Sequence, residues 1–124
     1  QIGQNGASMD APTRIRELEW FASPRENCKA MIWLAKVGSS EVREMLEYRV
    51  PFVDRGRPQS HWTYAGYKGG SEPGVLNATY LLGTASGKRA CFAMSWNDAE
   101  HTLGSYRFFD LVEKTIRFAQ TVVP

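Results

Sequence analysis

The chain has 124 residues, of which 43% are hydrophobic and 23% charged, and its formal net charge is +2. Residues 1–124 are expected to form one ordered domain, because a chain of this length and composition can bury a core. The small net charge, with basic residues scattered among acidic ones, does not favour nucleic-acid binding. No apolar run approaches the roughly twenty residues of a membrane-spanning helix.

The N-terminal part of the chain, residues 8–50, has the pattern of successive helices after a polar lead-in over residues 1–7. Ser8 or Asp10 can cap a first helix, because their side-chain oxygens can accept hydrogen bonds from its free N–H groups. The core-facing stripe predicted for this helix extends to Phe21.

The next helix has a stronger start signal. Ser23 and Glu26 have the spacing of a capping box, Pro24 suits the first helical position, and Gly38 ends the helix. Its predicted apolar stripe is Cys28, Met31, Ile32 and Ala35. The serine pair 39–40 begins a third helix. The stripe predicted for that helix is Val42, Met45 and Leu46.

Residues 61–97 predict three strands, at 61–68, 75–82 and 89–96, with a hairpin turn at 84–87. In the third strand one face is large and apolar, and the other is small and suits a closely applied helix. Residues 103–122 then predict a long amphipathic helix lying across the sheet. Its predicted buried stripe is Phe108, Val112, Ile116 and Ala119. The expected fold class is α+β, with helices, a three-stranded antiparallel meander and a C-terminal helix packed on the sheet.

The two cysteines, Cys28 and Cys91, are far apart in the sequence and lie in apolar surroundings. Two buried free thiols are the first expectation, since free cysteine behaves as a small hydrophobic residue. A single disulfide between them is the alternative.

The stretch 64–74 is the clearest candidate for a chemical site, because it contains four glycines, one proline and a single lysine, Lys68. Glycines allow the backbone to approach a ligand closely. A lysine followed by Gly69 and Gly70 can place an ammonium beside accessible backbone N–H groups, which suits an anion or a developing oxyanion. A plain glycine-containing turn is the alternative interpretation.

Residues 67–76, Tyr-Lys-Gly-Gly-Ser-Glu-Pro-Gly-Val-Leu, resemble the Lys-Thr/Ser-Gly strand of the serine β-lactamase and penicillin-binding-protein superfamily. The order that follows is also similar: a second strand, a glycine turn, a third strand and a C-terminal helix. The resemblance covers about residues 8–122. It implies the C-terminal portion of a β-lactamase-like fold rather than a whole one.

The resemblance also implies roles for particular residues. Lys68 matches the motif lysine that holds the anionic group of the substrate, and Gly70 matches the motif glycine. The backbone N–H of Ser71 matches an oxyanion-hole donor. Gly69 departs from the pattern, because the middle position usually carries a hydroxyl. This departure favours an esterase, amidase or peptidase-like relative over ordinary β-lactam recognition.

The nucleophile of this family is the serine of a Ser-x-x-Lys motif, and none of the nine serines of the chain has a lysine three residues on. The second family motif, Ser/Tyr-x-Asn, has one formal match at residues 95–97, but in the wrong order along the chain. The chain is therefore expected to be the C-terminal part of a β-lactamase-related serine hydrolase. The complete protein is expected to hydrolyse small acyl substrates. The isolated chain is expected to be inactive. A non-catalytic binding or interaction module is the alternative.

Trp62 and Tyr64 are predicted to share the side of the strand that carries Lys68, and so to line any cleft there. His61 and His101 are isolated, so no metal or other cofactor is expected. A triad of Ser71, His101 and Asp98 has no support in the spacing.

The strand at 89–96 is expected to have an open edge, because a strand from the N-terminal part pairs beside it in the family. An open apolar edge predicts self-association or a companion chain. The chain begins at Gln1 with no visible signal peptide, and the sequence by itself does not predict a compartment. The resemblance implies a periplasmic or secreted protein.

Overall fold

The computed structural model describes residues 12, 16–17, 21–55 and 60–124, and these confirm the predicted α+β layout. Helices come first, then an antiparallel three-stranded sheet, then a long helix. The elements are α1 (Pro24–Val37), α2 (Ser40–Glu47), β1 (Trp62–Glu72), β2 (Val75–Thr84), β3 (Arg89–Asn97) and α3 (Ser105–Val122). The predicted first helix lies mostly outside the described residues, and Phe21 is exposed rather than buried. None of the described helices is long and apolar enough to cross a membrane.

Helix α1 begins with the predicted capping box. The Ser23 hydroxyl accepts a hydrogen bond from the backbone N–H of Glu26 at 3.3 Å, and the Glu26 carboxylate accepts one from the backbone N–H of Ser23 at 2.8 Å. The bond from the Ser23 backbone, with a smaller effect of its hydroxyl, lowers the pKa of Glu26. Two free N–H groups at the helix start are thereby satisfied.

The apolar stripes of α1 and α2 are confirmed only in part. Met31, Ala35 and Leu46 are buried as predicted, but Ile32 and Met45 are exposed. The two exposed residues lie outside the buried stripe, because that stripe follows the sheet beneath and not the full width of the apolar pattern.

The sheet has the order β1-β2-β3, so β2 is the central strand and pairs with both neighbours. A two-residue turn, Pro73-Gly74, joins β1 to β2, and Gly74 takes a φ of +80° that glycine adopts without strain. The turn between β2 and β3 forms at the predicted residues, where Gly87 donates to the carbonyl of Thr84 at 3.0 Å.

Strand β1 ends four residues later than predicted, because it continues from Lys68 to Glu72 through both glycines. Glycine in the interior of a strand weakens that strand, because it has no side chain to pack and loses more backbone entropy than other residues. Here β2 supplies a full set of partners, and Gly69 pairs with Ala78 while Gly70 pairs with Asn77. Pairing with the central strand therefore overrides the low strand preference of the glycines.

One face of the sheet is covered by α3. The predicted stripe of that helix is confirmed: Phe108, Val112 and Ile116 are buried, and Ala119 packs against the same cluster. From the sheet, the buried members of this core are Trp62, Ala65, Leu76, Ala78, Tyr80 and Leu82. Alternation along the strands places these side chains on one face, except that Trp62 reaches it through the register shift between Trp62 and Tyr64.

The opposite face carries a smaller core beneath α1 and α2, formed by Met31, Ala35, Leu46 and Leu81. This confirms that the small face of β3 lies under a helix. Cys91 belongs to that face and packs against the cluster. The sheet is therefore enclosed between two helical layers.

The prediction of two free thiols is wrong. Cys28 of α1 and Cys91 of β3 form a disulfide, with their Cα atoms 5.8 Å apart. The cysteines are 63 residues apart in the sequence, and only the packing of α1 across β3 brings them together. The link ties the smaller helical layer to the edge of the sheet.

Replacing both Cys28 and Cys91 by alanine is expected to lower the free energy of unfolding by about 2–5 kcal/mol, because the disulfide closes a long loop in the unfolded chain. Urea unfolding measures the change. A thiol reductant should destabilise the wild-type chain in the same direction and leave the double variant unaffected. Identical unfolding midpoints for the wild-type and double-variant chains would contradict the structural role.

Ile116→Ala in α3 is expected to cost about 2–5 kcal/mol of stability, since it leaves a cavity in the larger core. Leu111→Ala on the exposed side of the same helix is the matched control, with an expected change within about 0.5 kcal/mol. Thermal unfolding of the two variants checks this. Equal losses would mean that α3 does not pack through the Ile116 face.

Candidate active-site wall

Residues 68–71 lie in the second half of β1, whose one partner strand among the described residues is β2. β1 is therefore an edge strand in this part of the chain. Glu72 and Val75 flank the two-residue turn and form the hydrogen-bonded pair that closes it. Hydrogen-bonded and non-hydrogen-bonded residue pairs alternate along two antiparallel strands. The backbone N–H and C=O groups of Ser71 and Gly69 therefore point away from β2, toward the outer edge of the sheet.

Lys68 places its ammonium beside this edge. Its side chain is exposed, on the sheet face shared with Tyr64 and Gly70, and Nζ donates to the carbonyl oxygen of Gly69. The ammonium thus lies close to the outward-directed backbone groups of the strand. A cation and free N–H groups at one strand edge can hold an anion or stabilise a developing oxyanion.

Two clefts meet at the same segment. The first, of about 390 Å³, lies between the helices and the sheet. Its lining consists of Asn27, Ala30, Met31, Leu34 and Leu46 from the helices, and Lys68, Gly69, Gly70, Asn77 and Thr79 from the sheet. The second, of about 520 Å³, runs along the outer edge of β1. Its lining consists of Met45, Tyr48, Tyr67, Lys68, Gly69, Gly70, Ser71, Asn77 and Phe109.

Of the three residues predicted to contact substrate, Lys68 and Gly70 line both clefts and Ser71 lines the second, and their contact with a substrate stays a prediction. Sequence reasoning missed Tyr67, which also lines the second cleft. A signal for it was present, since Tyr67 precedes Gly69 by two residues and must share its side of the strand. The contributions of α1 and α2 had no such signal, because they depend on how those helices pack.

The two glycines of the segment have opposite surroundings. A Cβ atom at Gly70 would meet no other atom within 4 Å. A Cβ atom at Gly69 would lie 2.0 Å from the Tyr67 hydroxyl oxygen and 2.7 Å from Cζ of the same ring. Gly70 thus keeps the strand open to the cleft, whereas Gly69 makes room for the end of the Tyr67 side chain.

The two residues predicted to form a cleft wall, Trp62 and Tyr64, do not line either cleft. A register shift between them breaks the simple alternation on which that prediction rested. Trp62 consequently lies on the opposite face from Lys68, buried under α3. Tyr64 does share the face of Lys68, but it packs into the smaller core, and burial there raises the pKa of its phenol.

Ser95, Asp98 and His101, the other polar residues weighed as site candidates, contact neighbouring protein groups. Ser95 accepts a hydrogen bond from the Asn77 amide at 2.9 Å, across two neighbouring strands. Nδ1 of His101 lies 3.1 Å from Asp98, whose carboxylate also accepts from the backbone N–H groups of Glu100 and His101. These backbone bonds are the main cause of the lowered pKa of Asp98. Within the described ranges there is no cluster of His, Cys, Asp or Glu that could hold a metal ion.

Comparison of the chain with protein-family models, curated proteins and solved structures found no match. Support for any function must therefore come from the residues and from their arrangement at the edge of β1. Two features bear on function: the residues of the Lys-Gly-Gly-Ser segment, and the two clefts that this segment lines.

Gly69→Ala is expected to destabilise the chain by about 1–3 kcal/mol, because the new methyl group displaces the Tyr67 ring from its packed position. Gly70→Ala is the matched control in the same strand. It meets open space and is expected to be neutral, or stabilising by up to about 1 kcal/mol. Unfolding midpoints in urea measure both effects, and equal midpoints would contradict the contact between Gly69 and Tyr67.

Proposed function

We propose that this chain forms one wall of the active site in a serine hydrolase related to β-lactamases and penicillin-binding proteins. The observation that carries the proposal is the position of residues 68–71 on an edge strand, where an ammonium and outward backbone N–H groups face two clefts. An acyl-transfer site for an anionic substrate can use both features, because the cation holds the charged group and the N–H groups stabilise the oxyanion of the transition state.

In the proposed mechanism, Lys68 binds the anionic group of an acyl substrate through its ammonium. The backbone N–H of Ser71 donates to the carbonyl oxygen of the scissile ester or amide, and it donates more strongly once that oxygen becomes an oxyanion. A serine of a Ser-x-x-Lys motif outside these 124 residues attacks the carbonyl carbon and expels the leaving group. Water then hydrolyses the resulting acyl-enzyme.

The proposal extends to the far side of the sheet. Among the described residues β3 pairs with β2 alone, so its other edge has backbone groups available for a further strand. We expect this edge to pair with a strand from another part of the complete protein, a companion chain or a second copy of this chain. The Cys28–Cys91 disulfide fits an oxidising compartment, such as the periplasm or the exterior of the cell.

A non-catalytic binding module is the second candidate. It is favoured by the apolar helical wall of the first cleft, formed by Met31, Leu34 and Leu46, together with the absence of Ser-x-x-Lys from the given sequence. Such a cleft could hold an apolar acid through Lys68 without any reaction. The two candidates make the same prediction for binding and different predictions for covalent acylation.

Lys68→Met is expected to weaken binding of phenylacetate to the chain by roughly tenfold to a hundredfold, since it removes a charge-assisted hydrogen bond. Lys88→Met, in the turn between β2 and β3, is the matched control and should bind like wild type. Isothermal titration gives the dissociation constants, and the neutral isostere phenylacetamide should bind more weakly than phenylacetate. Equal affinities of the wild-type and Lys68→Met chains for phenylacetate would overturn the role of Lys68.

Covalent labelling separates the two candidates. The 124-residue chain alone should hydrolyse no chromogenic ester and should take no label from an acylating serine reagent. The protein expressed from the full native gene should be labelled at a serine followed three residues later by lysine, and less rapidly when Lys68 is changed to Met. Turnover by the chain alone, abolished by changing one of its own serines, would refute the assignment of the nucleophile.

A further inference from the structure

The outer edge of β3 lies on the opposite side of the sheet from residues 68–71, and β2 is its one partner strand among the described residues. At the ends of this pair, the N–H of Asp98 donates to the carbonyl of Gly74 at 2.8 Å, and the N–H of Thr84 donates to that of Lys88 at 3.0 Å. Both bonds fit one register, in which the even-numbered residues of β3 bond to β2. The residues whose N–H and C=O groups point outward are therefore Arg89, Cys91, Ala93, Ser95 and Asn97.

These outward groups are arranged symmetrically about Ala93. If two β3 strands pair antiparallel about this residue, every outward residue lies opposite an outward residue of the second copy. Cys91 then lies opposite Ser95 and Arg89 lies opposite Asn97, so no like charges are opposed along the strands. The strand also contains no lysine, proline or bulge, which are the features that commonly prevent pairing at a sheet edge.

Helix α3 has an exposed apolar flank on the same side of the molecule. The Phe109 ring lies 6.0 Å from that of Phe52 and lines the second cleft, so this side of the helix faces the edge of β1. Leu111 lies about 200° further around the helix axis, on the flank toward β3. Phe118 and Val122 share that flank by their spacing, and all three of its apolar side chains are more than half exposed.

The position of α3 over the sheet matches the spacing that two copies require. The helix lies over β2 and β3. Neighbouring strands are about 4.8 Å apart, so a two-fold axis beside β3 places the two α3 helices about two strand spacings, or roughly 10 Å, from each other. Packed helices lie about 8–10 Å apart. Pairing of the strands and contact between the apolar flanks can therefore form in the same dimer.

We propose that the outer edge of β3 and the apolar flank of α3 together bind a second copy of this chain in a two-fold symmetric dimer. The two sheets then join into one, in the order β1-β2-β3-β3-β2-β1. A second copy is favoured over an unrelated strand because the backbone groups, the cross-strand neighbours and the helix spacing are all self-complementary. The proposal goes beyond the proposed function, since residues 68–71 lie at the two outer edges of the joined sheet and stay accessible.

Charges on the other face of the sheet give this dimer a distinctive salt dependence. Ile32 follows Cys28 by one turn of α1, and so lies toward the edge of β3 to which Cys28 is bonded. The exposed side chains of Lys29 and Lys36 lie beside it. Two copies bring these lysines together near the two-fold axis, so added salt should tighten the dimer by screening their repulsion. A dimer that dissociates as salt is added would contradict this arrangement.

The first test is association in solution. Sedimentation equilibrium of the wild-type chain should show a reversible monomer–dimer equilibrium, and Phe118→Asp should abolish the dimer by placing a charge in the apolar contact. Tyr106→Asp is the matched control, because Tyr106 is 84% exposed on a side of α3 that faces away from this flank, and it should leave the dissociation constant unchanged. Since the flank is exposed in a single copy, circular dichroism should show that both variants are folded.

Amide hydrogen exchange tests the strand pairing itself. The N–H groups of Cys91, Ala93 and Ser95 should exchange more slowly in the wild-type chain than in Phe118→Asp, because the dimer pairs them. The outward N–H groups of Gly69 and Ser71 are the matched control at the other edge of the sheet, and they should exchange alike in both chains.

The proposal is overturned if the wild-type chain stays monomeric at every concentration, and the edge is then left to a strand from elsewhere in the complete protein or from a companion chain. It is also overturned by a dimer that survives Phe118→Asp or leaves the β3 amides unprotected, since such a dimer uses another surface. None of these results bears on Lys68. Phenylacetate binding by the wild-type and Lys68→Met chains tests the proposed function separately.

Discussion

The rest of the structure depends on the central strand β2. It is the one strand of the described sheet that is paired on both edges, and almost all of its residues are buried from Leu76 to Thr84. Its register decides which side chains of β1 and β3 face α3 and which face the smaller helical layer. Its pairing with Gly69 and Gly70 also keeps β1 extended at two residues that have a low preference for strands.

The candidate site is a direct consequence of that pairing. Lys68 stands opposite Thr79, and Ser71 stands opposite Leu76, next to the turn. The alternation imposed by β2 directs the Ser71 N–H outward, and the same alternation brings Tyr67 and Gly69 to one side of β1. A shift of one residue in this register would turn the Ser71 N–H inward and bury the Lys68 ammonium under α3.

An aromatic ladder formed by Tyr67, Tyr80 and Phe92 connects the larger core to the edge of the sheet. Tyr67 is its outermost ring, supported by Tyr80 and Phe92 behind it. Packing within the core thereby supports the Tyr67 ring, and Tyr67 lines the second cleft. On the other face the Cys28–Cys91 disulfide holds α1 against β3, and α1 supplies Met31 and Leu34 to the apolar wall of the first cleft.

Local patterns in the sequence determined much of the secondary structure of this protein. The capping box of α1, the buried stripe of α3, the hairpin turn at 84–87 and the α+β order could all be predicted, because each depends on residues close together in the chain. The Lys-Gly-Gly-Ser segment also stands out as a local pattern, and its part in a site stays a prediction. The exposure of Ile32 and Met45 could not be predicted in this way, since an apolar pattern does not show how much of a helix will contact the sheet.

Only the tertiary structure decided the features that join distant residues. The disulfide required α1 to pack across β3, and the register shift near Trp62 moved a predicted wall residue to the opposite face. The extension of β1 through Gly69 and Gly70 required the partner groups of β2. The sequence alone thus determined which residues could form a site, and the pairing of the strands decided which of them meet, because their backbone hydrogen bonds and side-chain alternation are satisfied together in one register.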